Sequence, residues 1–202
     1  MKGSRAYNVA QLYNDGMLGQ YSIGVASTAS LGGGPTSGDL LQFRWTDSIR
    51  LGAIRRLSMS FARAAGAFVV GDIIKIQVEK ATAWTVQGTG GTVVTLQSTP
   101  AGKHRTSMPN SLVVDGDFRI CTTVVLGGGT KTNDPFPFRS YHIDPTQAVQ
   151  TFDMLNYTPG DLDYPMVLGF QEGMSVRLVT ENSAAGTFNM TFNVDWIEVD
   201  AR

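Results

Sequence analysis

The side chains able to do chemistry are few in this sequence and widely spaced. His104 and His142 are the only histidines among 202 residues. Covalent catalysis needs a nucleophile beside a base that a third group orients, and no serine occupies a G-x-S-x-G elbow. A transition-metal site of the cupin kind gathers several imidazoles and a carboxylate from neighbouring strands, so two histidines fall short. Asp115-Gly116-Asp117 and Asp161-Leu162-Asp163 pair carboxylates in turns. Calcium needs six or more oxygens, whereas a turn aspartate ordinarily accepts hydrogen bonds from nearby backbone amides. The lone Cys121 excludes an intrachain disulfide and a cysteine-based metal site. No catalytic, cofactor-binding or metal-binding residue is expected.

Two glycine-rich stretches invite a phosphate-binding interpretation and fail it. Gly88 to Thr92 lies between two β-prone runs, and a phosphate cradle needs a helix N-terminus directly after the loop. A hairpin turn using positive φ is expected there instead. Gly127 to Thr132 ends in Thr130-Lys131-Thr132 but lacks the glycine a P-loop places before its lysine. Of the three tryptophans, Trp45 and Trp196 alternate with apolar neighbours and belong to a core. Trp84 stands beside the Gly-rich turn and is expected to be exposed, as an interface anchor or a ligand platform. Arg55-Arg56 and Lys103-His104-Arg105 make two small basic spots. They are too sparse for a nucleic-acid footprint and suit an acidic face of a protein partner.

The charge balance agrees. Sixteen Lys and Arg face 17 Asp and Glu, for a net charge of −1, so no nucleic-acid partner is expected. Charged residues are 16% of the chain, against about 25% in an average soluble domain. The surface must therefore be largely Ser, Thr, Asn, Gln and Gly, which suits packing against other subunits. No apolar run approaches the roughly 18 residues of a membrane span, so no membrane is expected. No apolar stretch follows Met1-Lys2-Gly3, so folding in a reducing cytosol is expected.

The elements that would position these residues are strands. From Thr187 to Val199 the apolar positions are Phe188, Met190, Phe192, Val194 and Trp196, the period of a strand with one buried face. Beyond Trp196 the apolar positions become Ile197 and Val199, which predicts a β-bulge. A hairpin through Glu181–Gly186 to a strand at Met174–Thr180 is expected. Further strands are expected at Tyr21–Ala29, Leu40–Trp45, Arg50–Arg63, Asp72–Lys80, Thr92–Leu96, Ser111–Val114, Phe118–Leu126 and Met166–Phe170. Loops are expected at Leu31–Gly38, Gly127–Pro137 and Tyr157–Pro165, and one helical turn at Asp144-Pro145. Ala6, Val9, Ala10, Tyr13 and Met17 follow helical spacing. The expected architecture is a single all-β, jelly-roll-like antiparallel sandwich over residues 18–202, with an N-terminal arm or short helix over residues 1–17.

Arg44-Trp45, Leu51 to Arg56 (LGAIRR), Gly90-Gly91-Thr92, Lys103 to Pro109 (KHRTSMP), Asp117 to Ile120 and Gly129-Thr130 occur in this order. In that pattern, over roughly residues 40 to 140, the chain resembles a family of uncharacterised virion structural proteins of tailed bacteriophages and prophages. The resemblance implies a capsid decoration (cement) protein, similar to the small all-β oligomers that stabilise phage shells. Its implied partners are the major capsid protein and itself, as a homotrimer or dimer. Its implied place is the capsid surface of a virion assembled in the host bacterial cytoplasm. The contact residues expected are Arg5, Tyr7, Leu12 and Tyr13 of the arm, Leu31 of the glycine-rich loop, and Trp84. A carbohydrate-binding module at a fibre or tail tip, resting on Trp84 and the aspartate turns, is the alternative, and an enzyme with a jelly-roll site, metal-dependent or not, the third possibility.

Overall fold

The computed structural model describes residues 17–27, 30–32, 37–66, 68, 73–157, 164–179 and 186–200. These residues form strands, turns and loops, with no helix among them. Numbered in chain order, the first sheet runs β1 (Met17–Ala26), β13 (Gly186–Asp200), β4 (Arg50–Gly66), β10 (Val149–Asn156). There β2 (Leu31–Gly32) pairs with β13, and β11 (Met166–Leu168) pairs with β4. The second runs β6 (Thr92–Val93), β7 (Phe118–Ile120), β3 (Gly38–Trp45), β12 (Glu172–Leu178), β5 (Ile74–Val86), β8 (Thr130–Asn133). There β9 (Arg139–Ile143) also pairs with β5. All pairings are antiparallel.

The wrapping follows from the strand order. Taken in sequence, β1, β3, β4, β5, β9, β10, β12 and β13 are eight strands, lying 1-8-3-6 in one sheet and 2-7-4-5 in the other. This order matches the two interlocked Greek keys of a jelly-roll sandwich. The core is where the two inner faces meet. Trp196 of β13 stacks on Tyr21 of β1 at 5.3 Å, and its ring lies edge-on to Phe43 of β3 at 5.4 Å and to Phe118 of β7 at 6.5 Å. Phe188, Met190, Phe192, Val194 and Trp196 are fully buried, as their spacing predicts. β13 is paired along both edges, by β1 and β4.

The bulge near Trp196 exists, but its extra residues are on the partner strands. Asp195 pairs with Arg56 and Trp196 with Ile54, leaving Arg55 of β4 unmatched. Glu198 pairs with Gly19 and Val199 with Met17, which skips Leu18 of β1. The even-numbered phase of β13 therefore continues inward, and Glu198 occupies its next position, 1% exposed. Ile197 is buried on the other side, and that is why the apolar pattern reads as a slip.

A buried carboxylate must be hydrogen-bonded, and Glu198 is. Ser111 Oγ donates to it at 2.6 Å, the Leu112 amide at 3.0 Å and Trp196 Nε1 at 3.2 Å. Burial nonetheless holds this carboxyl above the usual glutamate range, against those hydrogen bonds. Glu198 then ionises more readily in the unfolded chain, where the pKa is about 4.3, than in the fold. Its contribution favours the fold in acid and is lost as pH rises from that value through the raised one. Glu198→Gln keeps an acceptor without the charge. Urea midpoints between about pH 4 and pH 8 should vary less in this variant than in the parent; an unchanged slope would remove Glu198 as the source.

Several boundaries differ from the sequence expectation. β12 and β13 lie in different sheets, so they form no hairpin; their matching alternation does not say which strand each pairs with. Phe118–Leu126 is a strand only to Ile120, and residues 122–124 bend. The Gly127–Pro137 loop contains β8, and β9 and β10 carry too many polar residues to stand out as strands. Thr92–Leu96 shortens to β6. Ser111–Val114 is not a strand but a turn that caps Glu198. Asp144-Pro145 starts a turn in which Asp144 Oδ1 accepts the Thr146 amide, not a helix. Leu31 is not a loop residue at the surface: it pairs with Phe188 and is fully buried. Residues 1–16, with Arg5, Tyr7, Leu12 and Tyr13, lie outside the described residues.

Candidate functional site

Two bulges open a groove at one edge of the sandwich. Arg55 is the extra residue of β4. In the β10–β4 pairing, Asp153 meets Ser58 and Leu155 meets Leu57, which leaves Met154 as the extra residue of β10. Bulges re-aim side chains, and both Arg55 and Met154 line a groove of about 390 Å³. β9 of the second sheet supplies Arg139 and Tyr141, with Phe138 just ahead of it; Tyr157 and Tyr164 follow β10 and precede β11. Tyr164 is 86% exposed and Phe138 43% exposed, and Phe136 nearby in sequence is 81% exposed.

The groove is held by ordinary contacts. The Tyr141 hydroxyl donates to the Met154 carbonyl at 2.9 Å, and its ring lies edge-on to Phe152 at 5.8 Å. Burial raises the Tyr141 pKa, so the hydroxyl stays a neutral donor. Arg56 on the outer face pairs with Asp153 at 3.1 Å. The Arg139 guanidinium lies 5.4 Å from the Phe138 ring centre. Arg55 Nε is buried and has no hydrogen-bond partner. Aromatic walls, two arginines and one carboxylate can bind; no nucleophile and base meet here.

A second cluster is buried beneath the end of β5 and β8. After Ala83, at φ 49°, β5 turns across the outer face of the second sheet. Trp84 covers Gly173 of β12, where a Cβ would stand 2.5 Å from the indole. Arg44 of β3 donates to the Thr85 carbonyl at 3.0 Å and pairs with Asp117 at 2.6 Å. Lys131 of β8 reaches down to Asp39 Oδ2 at 2.6 Å and Ser175 Oγ at 3.1 Å, its Nζ 4.3 Å from the Trp84 ring centre. Gln42 Nε2 also donates to Asp39 Oδ2, at 2.6 Å. Glu79 accepts from Asn133 at 2.6 Å, with Arg177 at 3.8 Å. Ser175 has no exposed surface, so a Ser–Lys pair here is closed to any external substrate.

No protein-family model and no curated protein matches this chain.

The residues singled out in the sequence scatter. Trp84 is 1% exposed, a correction explained by the glycine under its ring and by its indole N–H donating to the Val86 carbonyl at 3.0 Å. Arg55 enters the groove, while Lys103 turns inward to the Met108 carbonyl. His104 bonds through its backbone to Gln20 beside the first sheet, and His142 sits on β9 in the second. Among the described residues no three His, Cys, Asp or Glu gather as metal ligands. Asp115 accepts the Leu96 and Gln97 amides, and Asp117 is taken by Arg44 and Thr46. Asp161 and Asp163 lie outside the described residues. Gly90 and Gly91 have the expected positive φ, at 79° and 64°, although β5 and β6 do not pair. Burial pushes the Cys121 thiol up to about 12, so it stays protonated. Phe138, Tyr141, Tyr157 and Tyr164 were missed because they flank proline-rich turns and polar strands; four aromatics around two such turns were the available signal.

Proposed function

We propose that this chain is a phage virion structural protein that binds the outer capsid surface and stabilises the shell as a homo-oligomer, a trimer or a dimer. The observation that carries the proposal is the pair of exposed aromatic residues Phe138 and Tyr164 lining a groove that also presents Arg55 and Arg139. Aromatic residues and arginine are the types that concentrate binding energy in protein interfaces. The neighbouring outer face of the first sheet supports it, with rows Ala26, Thr191, Ser60, Thr151 and Gly24, Asn193, Ser58, Asp153. A face of small, mostly uncharged side chains can pack against a neighbour while burying few charges, provided its hydroxyls and amides find hydrogen-bond partners there. The sequence resemblance points the same way, and a jelly-roll alone would not, since one fold hosts many functions.

Phe138→Ala with Tyr164→Ala should weaken binding to undecorated capsids by ten-fold or more, the scale of losing one or two interface anchors. Because both side chains are exposed, the melting temperature should stay within a few degrees of the parent. Unchanged capsid affinity would overturn the groove as the contact. Removal of residues 1–16 tests the arm separately.

A specific observation favours a second reading, a glycan-binding module of a fibre or tail tip. The groove combines aromatic walls with Arg139, Asp153 and Asn156 in a concave site, which suits a sugar ring stacked on Tyr164. A selective glycan-array signal that Tyr164→Ala abolishes would establish it.

A further inference from the structure

The buried cluster under β8 is more than a salt bridge in its arrangement. An isolated lysine–carboxylate pair in a dry site is costly, and many such pairs can be replaced by apolar residues without loss. Here the pair is surrounded by groups that would assist a reaction between its members. Lys131 and Asp39 side chains are 6% and 3% exposed. Nζ touches Oδ2 at 2.6 Å, and Cγ is one bond beyond that oxygen; holding two reacting groups together in this way makes their reaction effectively unimolecular. Gln42 Nε2 donates to the same oxygen at 2.6 Å, where charge would build up during attack on Cγ. Ser175 Oγ accepts a hydrogen bond from Nζ at 3.1 Å and so helps fix the direction of the amine. In the strand register Ser175 lies between Gln42 of β3 and Glu79 of β5. Asn133, two residues after Lys131 on β8, holds the Glu79 carboxylate at 2.6 Å.

We propose that Lys131 Nζ and the Asp39 carboxyl condense into an intramolecular amide after folding, with Glu79 carrying the proton between them. The balance closes without an added reagent. The Nζ lone pair, freed when a proton passes to Glu79, forms the bond to Cγ. One C–O bond of Asp39 breaks, and that oxygen leaves as water with two protons that began on Nζ. Glu79 ends as it began. Starting from ammonium and carboxylate, the products are a neutral amide and water, so the site loses two buried charges. Burial, with Asp39 adding to it and Arg177 and Lys131 opposing, holds the Glu79 carboxyl above its usual range, as suits a group that must both take and return a proton. The bond would join β8 to β3 across β12 and β5. This assignment is independent of what the groove binds.

The test is the mass of the purified full-length chain under denaturing conditions. The expected result is a mass one water below that of the sequence. The tryptic digest should contain a branched species joining the Asp39 and Lys131 peptides. Lys131→Arg should show the full sequence mass. Glu79→Gln, shown folded by circular dichroism, should remain mostly unlinked. Folded parent protein at the full sequence mass after prolonged incubation would overturn the proposal, whether or not the variants fold. So would a water loss confined to one peptide, which is what a cyclic imide at Asp15-Gly16 or Asp115-Gly116 would give. A Glu79→Gln chain that links as completely as the parent would overturn the role of Glu79.

Discussion

Trp196→Ala should cost about 3–5 kcal/mol of stability, the range for emptying a buried large aromatic site. The whole domain is worth only about 5–15 kcal/mol, and at about 2–4 °C per kcal/mol for a chain of this size the melting temperature should fall by roughly 10 °C or more. Three rings lose a neighbour at once: Tyr21 on the same sheet, and Phe43 and Phe118 on the opposite one. The space opens between the sheets, where β13 cannot sink to fill it because it is paired to β1 and β4 along both edges. Glu198 also loses the indole N–H that donates to it. Trp196→Phe separates the two effects. It restores most of the ring contact but not that donor, so it should recover more than half of the loss. Urea unfolding of the three proteins measures this; an alanine variant within 1 kcal/mol of the parent would show that the sheets are not joined through Trp196.

That core was legible because alternation is a local property. Phe188 to Trp196 announce a half-buried strand regardless of what they pair with. Glu198 was not legible, because a glutamate at the next inward position looks like the polar side of a slipped pattern; only the Ser111 turn, 87 residues away in sequence, explains it. The false hairpin between β12 and β13 has the same origin: two amphipathic strands close in sequence carry no mark of which sheet each joins. Trp84 was misplaced because its cover is the missing side chain of Gly173, a contact no spacing rule reports. The groove depends on Arg55 and Met154, single extra residues visible only once registers are known. Lys131 stands out in the sequence only within a failed P-loop pattern, and no spacing rule reports that it meets Asp39. That contact exists because β8 and the end of β5 lie over the outer face of the second sheet.

Lys131→Met should be the most damaging change to the second sheet. It leaves Asp39 buried as an unpaired charge with Gln42 as its remaining side-chain donor, and an uncompensated buried charge costs about 3–5 kcal/mol. It also removes the proposed amide. Asp39 and Lys131 are 92 residues apart, and a covalent link closing a loop of that size is worth about 4–5 kcal/mol through the entropy it takes from the unfolded chain. The two losses together approach the stability of an ordinary domain, so the single variant is expected to be largely unfolded at room temperature. Adding Asp39→Leu removes the stranded charge and should restore folding, but only in part. The double variant should stay about 4–5 kcal/mol below the parent, because apolar replacements refill the site without closing the loop. The parent should also unfold with a smaller dependence on urea than the double variant, since a linked unfolded chain exposes less surface. A double variant as stable as the parent, with the same urea dependence, would mean that Lys131 and Asp39 contribute an ion pair and nothing more.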